Sequence, residues 1–467
     1  MDWLFLLIGS VCFVELFIRL DSLRQIRALT DILTKVARVI RSPGISDHWK
    51  EKILPSYALA LFKQSLLIFV ILVVCFLIFP LLGLVSHFLD GDFIAQSTSV
   101  LGIAATTCMA GCYAFVRSKT SHPSSDYGPG SKILHRIALG TPFVGEALFD
   151  IEKSLYGSKS RAVNEENHVF VSGLARAGTT ILMRRLYESG QFGSLTYRDM
   201  PFALAPNLWS KMSSPSLKDK ELEERAHGDG IMVDYDSPEA LEEVFWKARC
   251  GADYIQKDSL TPMAASEEVI DDFRTYVSLI LHKTGNNRYL SKNNNNILRL
   301  GSLVEAFPQA TILIPFRQPQ QQAYSLLRQH RMFNQRHTED TFSRNYMSWL
   351  AHHEFGSDHR PFKFAEQPAG VGDTDTIDYW LEAWIQAYTY VLAHLPEQAI
   401  PVCYETLCNS DSGTWEQLQD RLALPASKGD ETFTKAPDND SACAAALLDQ
   451  AAELYSRLCA KAIGSAQ

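Results

Sequence analysis

The chain has 467 residues, of which 46% are hydrophobic and 21% charged, values that exclude the disordered and fibrous classes. Its net charge of −9 is unevenly distributed, because residues 1–120 hold 11 Lys and Arg against 8 Asp and Glu. The rest of the chain is therefore acidic and argues against broad nucleic-acid binding, which needs basic surface that neutralises phosphates.

Two uncharged segments lie near the N-terminus. Residues 64–89 contain no Asp, Glu, Lys or Arg and are long enough to cross a hydrocarbon layer of about 30 Å, which predicts a transmembrane helix. Residues 93–116 are rich in small residues and predict a second span packed closely against a neighbour. Residues 3–18 are shorter and contain Glu15, so they form either a third span or an interfacial anchor. We predict a membrane anchor of two to three transmembrane segments over residues 1–120.

Basic residues orient this anchor. Nine Lys and Arg lie from Arg19 to Lys63, whereas the connection between the two later spans carries Asp90 and Asp92. Because cytoplasmic flanks collect Lys and Arg, the pattern predicts a multi-pass protein with a hairpin tip outside and the rest of the chain in the cytoplasm. Apolar residues at helical spacing within 26–40 predict a basic amphipathic helix, which lies either on anionic lipid or against protein.

The remainder of the chain has the pattern of an α/β domain. A Pro, Gly and Ser-rich stretch at 124–131 predicts a linker over 121–135. Over 136–467, short apolar strands alternate with amphipathic helices, which is typical of a parallel sheet covered on both faces. We predict a P-loop-like three-layer α/β/α domain with a central parallel sheet. Its predicted strands are 168–172, 289–291, 311–316 and 400–404, and its predicted helices are 180–189, 297–307, 320–330, 377–395, 414–422 and 444–460.

A glycine-bounded loop follows the first strand of this domain. Residues 173–180 read Gly-Leu-Ala-Arg-Ala-Gly-Thr-Thr, which has P-loop spacing, but Thr179 stands where a nucleoside-triphosphate loop requires Lys. Backbone N–H groups of such a loop and of the following helix N-terminus point towards an anion. Arg176 adds a permanent cation within the loop. The alternative is a tight strand-to-helix turn without a ligand.

A second segment, residues 307–330, contains Phe-Pro-Gln-Ala, a buried strand, Arg317, Pro319 and Ser325 in that order. Ligands of open parallel sheets bind at the carboxyl ends of strands, where both segments fall. Together they resemble the sulfotransferase family that uses PAPS, 3′-phosphoadenosine 5′-phosphosulfate. A Val-Cys-Tyr-Glu-Thr-Leu stretch at 402–407 is part of the same resemblance.

The resemblance implies a donor site. In that family the first loop holds the 5′-phosphosulfate, and the Arg and Ser of the second segment hold the 3′-phosphate. It therefore implies a PAPS-dependent enzyme that transfers a sulfuryl group to a hydroxyl or amine acceptor without a metal. By position, the donor-binding residues are Gly173, Arg176, Ala177, Gly178, Thr179, Thr180, Arg317 and Ser325.

The sequence departs from the family where the cytosolic members carry Lys, Thr and a catalytic His after a middle strand. Here Lys292 is followed by Asn293 and Asn294, and asparagine cannot accept a proton near neutral pH. We expect Lys292, with Arg176, to balance the charge of the leaving group. The general base must come from another part of the chain.

Two residues are candidates for that base. Asp199 lies shortly after the first loop and helix, and burial would raise the pKa of such a carboxyl towards working pH. Its alternatives are pairing with Arg198 or capping a turn. His227 is the second candidate, because imidazole titrates near neutral pH, and its alternative is to order a loop.

Other segments remain open to two interpretations. Residues 427–429 are a weak counterpart of the family's Lys- and Gly-containing loop, and about 200–285 is predicted as a substrate-specific insertion. The basic run from Arg328 to His337 either extends towards an anionic acceptor or is a solvated helix end. His352, His353, Glu354 and His359 match no established metal-ligand spacing, so we expect them to face substrate or to be structural, with a metal site as the alternative.

Two further function classes stay open at this point. A P-loop kinase or ATPase shares the sheet and glycine loop but needs the missing Lys, and a non-catalytic membrane scaffold needs only the fold. The predicted anchor suggests a membrane-borne acceptor such as a glycolipid or lipid-linked glycan.

Overall fold

The computed structural model describes all residues except 1, 21, 42–46, 88–91, 120–128, 161–166, 214–222, 225–231, 235, 365–371, 426–431, 436–442 and 465–467. Contacts divide the chain into two units, Met1–Leu134 and His135–Gln467. The division falls at the end of the predicted 121–135 linker.

The first unit is helical in its described part. Helices α3 and α4 are separated only by Leu77, and together they supply Pro55–His87, 33 residues that are long and apolar enough to cross a membrane. Only 17% of the most apolar window of this segment is buried within the protein. The helices of this unit are α1 (Asp2–Arg19), α2 (Ser22–Arg41), α3 (Asp47–Phe76), α4 (Ile78–His87), α5 (Phe93–Thr98) and α6 (Val100–Lys119).

The other two predicted spans differ from expectation. The segment 93–116 breaks at Ser99 between α5 and α6, which leaves a shorter apolar helix at Val100–Gly111. Helix α1 contains Glu15, whose carboxylate accepts a hydrogen bond from the hydroxyl of Tyr113 in α6 at 2.8 Å. Among the described residues, Pro55–His87 is thus one candidate span where two to three were predicted.

Five parallel strands form the centre of the second unit, in the order β2-β5-β1-β6-β7. Four of them, β1, β5, β6 and β7, correspond to the predicted strands within one residue at either end. Strand β2 was not predicted, because two residues are too few to display alternation. The strands are β1 (Val169–Val171), β2 (Phe192–Gly193), β5 (Arg288–Lys292), β6 (Thr311–Phe316) and β7 (Ala399–Cys403), with a separate antiparallel pair of β3 (Glu223–Glu224) and β4 (Met232–Val233).

Helices cover both faces of this sheet. Phe170 of β1 lies in the main hydrophobic core, whereas its neighbours Val169 and Val171 lie in a second core on the opposite face. The parallel α/β architecture predicted for this part of the chain is confirmed. Its helices are α7 (Pro129–Gly140), α8 (Pro142–Ser160), α9 (Thr179–Tyr187), α10 (Pro206–Ser213), α11 (Glu243–Tyr254), α12 (Glu267–Thr284), α13 (Leu300–Ala306), α14 (Pro319–Glu339), α15 (Thr341–Trp349), α16 (Ile377–Ala393), α17 (Tyr404–Leu407), α18 (Thr414–Arg421) and α19 (Ala445–Lys461), with 3-10 turns at Tyr197–Asp199, Asn294–Arg299 and Ser410–Ser412.

Part of the predicted insertion at about 200–285 lies in the main core. Helices α11 and α12 bury Phe245, Trp246 and Phe273 there, and the rings of Trp246 and Phe273 are 4.4 Å apart between centroids. These helices are therefore structural, since aromatic side chains of this size dominate core packing. A role of the segment in substrate selection stays a prediction.

The strand order decides which loops are neighbours. Strand β1 lies between β5 and β6, and all three run in the same direction. Their carboxyl ends therefore meet at one edge of the sheet, together with the end of β7 beside β6. The glycine loop and Arg317 follow strands at this edge, and Lys292 is the last residue of β5.

Candidate active site

The glycine loop between β1 and α9 is shaped by two close backbone approaches. A side chain at Gly173 would lie 2.7 Å from the carbonyl oxygen of Pro315. Gly178 has a φ of 86°, and a side chain there would also overlap the ring of Tyr404. Arg176 has a φ of 66°, a left-handed conformation that is uncommon outside glycine. The loop thus needs glycine at both ends and holds Arg176 in a constrained position.

Hydrogen bonds join this loop to the segment that follows β6. The Nε of Arg176 donates to the Oγ of Ser325 at 3.1 Å. The side-chain amide of Gln322 donates to the Ala175 carbonyl at 3.0 Å, and its Oε1 accepts from the Arg317 N–H at 3.2 Å. Gln322 is fully buried. The two segments that were singled out in the sequence therefore contact each other directly.

The segment after β7 completes the same edge. The N–H of Gln318 donates to Glu405 Oε1 at 2.9 Å, and the Nε of Arg317 lies 3.9 Å from the same oxygen. The guanidinium of Arg317 is 5.8 Å from the ring centre of Tyr404, within reach of a cation–π interaction. Burial raises the pKa of Tyr404 to about 12, so its hydroxyl is neutral at physiological pH. Tyr404 thus contacts both the glycine loop and Arg317.

A lysine and a carboxylate lie together after β5. Lys292 is buried at the end of the strand, and the side-chain amide of Asn294 donates to Glu354 at 2.9 Å. Burial alone would raise the pKa of Glu354, but the charges of His352 and Lys292 and the hydrogen bond from Asn294 outweigh it and lower the pKa. Glu354 is therefore an ionised carboxylate beside Lys292.

These side chains surround a cleft of about 290 Å³. Arg328 of α14 adds a cation to its wall, and Glu239 and Glu354 add carboxylates. Among the described residues of the wall, four cationic side chains thus face two anionic ones, which suits a multiply charged anion. The predicted site residues that line the cleft are Arg176, Gly178, Thr179, Thr180, Lys292 and Arg317.

Three other predicted donor residues are adjacent to the cleft without being part of its wall. Ala177 is fully buried, and Gly173 packs against the Pro315 carbonyl. Ser325 holds the guanidinium of Arg176 through the 3.1 Å hydrogen bond. They shape the loop and position Arg176.

Asp199 is not brought to the cleft. It is buried, its Oδ2 accepts the Thr196 N–H at 2.9 Å, and its Oδ1 lies 2.5 Å from the Nζ of Lys283. Both oxygens are thus used by a capping box and an ion pair. Arg198, the partner considered from the sequence, pairs instead with Asp236 at 2.7 Å. This placement argues against the predicted proton transfer by Asp199. The second predicted base, His227, and the predicted loop at 427–429 lie outside the described residues.

The histidine cluster is divided between cleft and core. His352 lines the cleft, whereas burial lowers the pKa of His353 and of His359 to about 4, so both are neutral. The Nε2 of His359 hydrogen-bonds to the hydroxyl of Tyr379 at 2.8 Å. Across the part of the chain that the structure describes, no group of three or more His, Cys, Asp or Glu side chains is arranged to hold a metal ion.

Several cleft residues were not identified from the sequence. Glu239 accepts a hydrogen bond from the Tyr197 hydroxyl at 2.5 Å and belongs to no recognisable motif. Glu354 was noticed only as part of the histidine cluster, and Tyr404 only as part of the 402–407 stretch. Gln322, which is fully buried and outside the cleft wall, was also missed, because its three-residue offset from Ser325 gave no signal.

Part of the chain is similar to a known protein family. Residues 168–361 match the model of the sulfotransferase family. No curated protein matches the chain in sequence. Two solved structures are similar: sulfotransferase STF1 from Mycobacterium tuberculosis H37Rv, with 15% identity over 68% of this chain and 83% of that chain and a TM-score of 0.37, and sulfotransferase STF9 from Mycobacterium avium, with 12% identity over 74% and 81% and a TM-score of 0.37.

The matched segment begins one residue before β1 and extends beyond α15, so it contains the glycine loop, Lys292, Arg317 and Glu354. This segment of the chain is therefore similar to the sulfotransferase family.

Proposed function

We propose that the protein transfers a sulfuryl group from PAPS to a hydroxyl or amine acceptor. The observation that carries the proposal is the contact between the two predicted donor segments, the hydrogen bond from Arg176 to Ser325 at 3.1 Å. It brings the loops after β1 and β6 to one cationic cleft inside the family segment. A nucleotide with anionic groups at both ends needs this kind of divided site.

The residues fit such a donor. The glycine loop and the first turn of α9 offer backbone N–H groups, with the hydroxyls of Thr179 and Thr180, to the 5′-phosphosulfate. Arg317 offers a guanidinium to the 3′-phosphate. Ser325, which lies beside the cleft, accepts from Arg176 and positions its guanidinium for the donor. The neutral ring of Tyr404 offers an aromatic face close to Arg317.

PAPS supplies a sulfuryl group on a phosphate leaving group. By analogy with phosphoryl transfer, the protein contributes mainly position and positive charge in a loose transition state. Arg176 and Lys292 balance the charge of the leaving oxygen, and Thr179 and Thr180 orient the sulfate. Glu239 or Glu354 takes the place predicted for Asp199 and receives the proton that the acceptor loses as its oxygen or nitrogen bonds to sulfur.

Arg176→Ala is expected to reduce sulfuryl transfer about a hundredfold or more, because a preorganised charge at the leaving group is lost. Turnover of PAPS by the purified variant is the measurement, and Arg176→Lys should recover part of the loss by keeping the charge. A variant with normal turnover would refute the role of Arg176.

Binding of 3′,5′-adenosine bisphosphate tests the proposal directly. The compound should raise the melting temperature of the protein far more than ATP with magnesium does, since the loop lacks the Lys that a triphosphate needs. Arg317→Ala should remove most of this shift. Arg331→Ala is the matched control, because Arg331 lies on α14, the helix that follows Arg317, and pairs with exposed Asp375. An equal response to ATP favours a kinase or ATPase, and no response to the bisphosphate favours a non-catalytic scaffold.

Membrane association belongs to the same proposal. The segment Pro55–His87 supports one crossing, and the nine basic residues of 19–63 support a cytoplasmic position for its N-terminal side. A single crossing would leave the catalytic unit on the opposite side, away from cytosolic PAPS. We therefore infer a second crossing through α6 (Val100–Lys119), whose apolar part begins with Val100–Gly111, which returns the chain to the cytoplasm. A membrane-borne acceptor is the corresponding hypothesis.

A further inference from the structure

A second, apolar cavity adjoins the cleft. Its wall is formed mainly by Leu174, Leu260, Leu326, Phe362 and Trp380, and its volume is about 50 Å³. Leu260 and Phe362 are held in place by backbone hydrogen bonds from Leu260 to the Pro361 carbonyl and from Lys363 to the Leu260 carbonyl, at 2.9 and 2.8 Å. The cavity is therefore built by two segments that are fixed to each other.

Polar groups at this wall are engaged with the protein. The ring nitrogens of His359 hydrogen-bond to the His353 carbonyl at 3.1 Å and to the Tyr379 hydroxyl at 2.8 Å. His359 therefore presents mainly the carbon atoms of its ring. Arg360 and Gln386 also contribute to the wall, but the surface towards the cavity is mainly apolar. Such a space holds apolar atoms better than water, which needs two to four polar partners.

The cavity and the cleft share part of their walls. Ala175, Asn294 and Glu354 contact both spaces. Ala175 precedes Arg176 in the glycine loop, and Asn294 follows Lys292 by two residues. A molecule that enters the cavity from the cleft thus passes the position where the sulfate is expected, with Glu354 at the junction.

The size of the cavity restricts what enters it. An apolar cavity of about 150 Å³ binds benzene, whereas a single water needs about 10–15 Å³. At about 50 Å³ the cavity accommodates a short alkyl group and excludes an aromatic ring.

Resting on the proposed function, we propose that the acceptor is an alcohol whose hydroxyl donates a hydrogen bond to Glu354 while a short alkyl group next to it occupies this cavity. Glu354 is ionised and accepts hydrogen bonds only. Lys292 already balances its charge, so a neutral hydroxyl suits it better than an ammonium. Densely hydroxylated sugars cannot fill the cavity without leaving hydroxyls unpaired.

Ligand-observed NMR tests this with the full-length protein in detergent micelles, loaded with 3′,5′-adenosine bisphosphate. Saturation transfer should reach the methyl groups of 2-methyl-1-propanol, and neither benzyl alcohol nor glucose should displace it. Ala383→Leu, which fills the cavity from α16, should weaken binding of the alcohol at least tenfold. Ala393→Leu on an exposed position of the same helix is the matched control and should bind like the wild type.

The variant Glu354→Gln tests the contribution of the carboxylate independently of the contribution of the cavity. The substitution should weaken binding of the alcohol about tenfold, because an amide is a poorer hydrogen-bond acceptor than a carboxylate. Equal binding by Ala383→Leu and the wild type, no binding to the wild type, or displacement by benzyl alcohol would each overturn the inference. The melting shift with the bisphosphate is measured in every sample, so a failed donor site is distinguished from a failed acceptor site.

Discussion

At the scale of single residues, Gly178 carries two independent constraints. Its φ of 86° favours glycine, and its Cα hydrogen faces the ring of Tyr404, where a side chain would overlap. Gly190 has a similar φ of 69°, but an added side chain there would meet nothing within 4 Å. The two glycines therefore separate backbone strain from the contact with Tyr404.

Gly178→Ala should abolish binding of 3′,5′-adenosine bisphosphate, because the loop and Tyr404 must move apart. Gly190→Ala should cost about 1 kcal/mol of stability through its φ alone and keep binding unchanged. Melting curves with and without the bisphosphate measure both effects. If Gly178→Ala showed the wild-type shift, the shape of this loop would be irrelevant to the ligand.

Residue types and their spacing in the sequence predicted only part of the cleft. Local spacing singled out Arg176, Thr179, Thr180 and Arg317, and all four line the cleft. Their role in donor binding stays a prediction. Local spacing could not choose a base, because Asp199 lies near the loop in sequence but uses both oxygens elsewhere, whereas Glu354 reaches the cleft from a distant segment.

At the scale of elements, Gln322 joins helix α14 to three other parts of the fold. From α14 it bonds the glycine loop at Ala175, the end of β6 at Arg317 and, through its Oε1, the indole of Trp384 in α16 at 3.0 Å. Removing the amide would leave these buried groups without their partner. An unpaired buried polar group costs about 1–3 kcal/mol.

Gln322→Leu should therefore lower the free energy of unfolding by at least about 2 kcal/mol and weaken binding of the bisphosphate, since both loops lose a common support. Gln335→Leu, an exposed position on α14, should change stability by less than about 0.5 kcal/mol. Urea unfolding in detergent micelles measures the difference. Equal stability of the two variants would contradict this account of the loop connection.

The ends of the helices were predicted less accurately than the ends of the strands. The predicted helix at 297–307 is a 3-10 turn over Asn294–Arg299 followed by α13, because Arg299 is drawn into a fully buried ion pair with Glu243 at 3.0 Å. Helix α14 extends nine residues past the predicted end at 330, to Glu339, since the buried rings of His330 and His337 continue its packed face. Arg328 of the predicted basic run lines the cleft.

At the scale of the whole molecule, three buried histidines make stability depend on pH. Burial lowers the pKa of His168, His353 and His359 to about 4, against about 6.5 in an unfolded chain. Between these values the unfolded chain binds more protons than the folded one. Stability is therefore greatest above about pH 6.5 and falls as the pH falls towards 4.

From pH 7.5 to 5.5 the free energy of unfolding should drop by about 1 kcal/mol for each of these histidines. Urea unfolding at the two pH values gives the drop. His359→Gln should make it smaller whatever its effect at pH 7.5, and the exposed His394→Gln should leave it unchanged. A drop that is the same in all three proteins would show that other groups control acid stability.

The path of the chain through the membrane is the other property of the whole molecule. One crossing by Pro55–His87 and the proposed second crossing by α6 would return the second unit to the side of the basic residues. Without the second crossing, the positive-inside rule would place that unit outside.

Reporter fusions in a bacterial host distinguish these arrangements. A phosphatase that is active only outside the cytoplasm should be active when fused after residue 91 and inactive when fused after residue 467. A fluorescent protein that folds only in the cytoplasm should show the reverse. Phosphatase activity at both positions would mean a single crossing and would remove the cytoplasmic assignment of the catalytic unit.

Short-range periodicity, with glycine, proline and charge at fixed offsets, was enough to predict the parallel α/β class, the four longer sheet strands and the two segments that meet at the cleft. Only the tertiary structure decided that Arg176 bonds Ser325, that Tyr404 and Glu354 join the cleft and that Asp199 does not. Those contacts depend on strand order and packing between distant segments, and no local pattern in the chain specifies them.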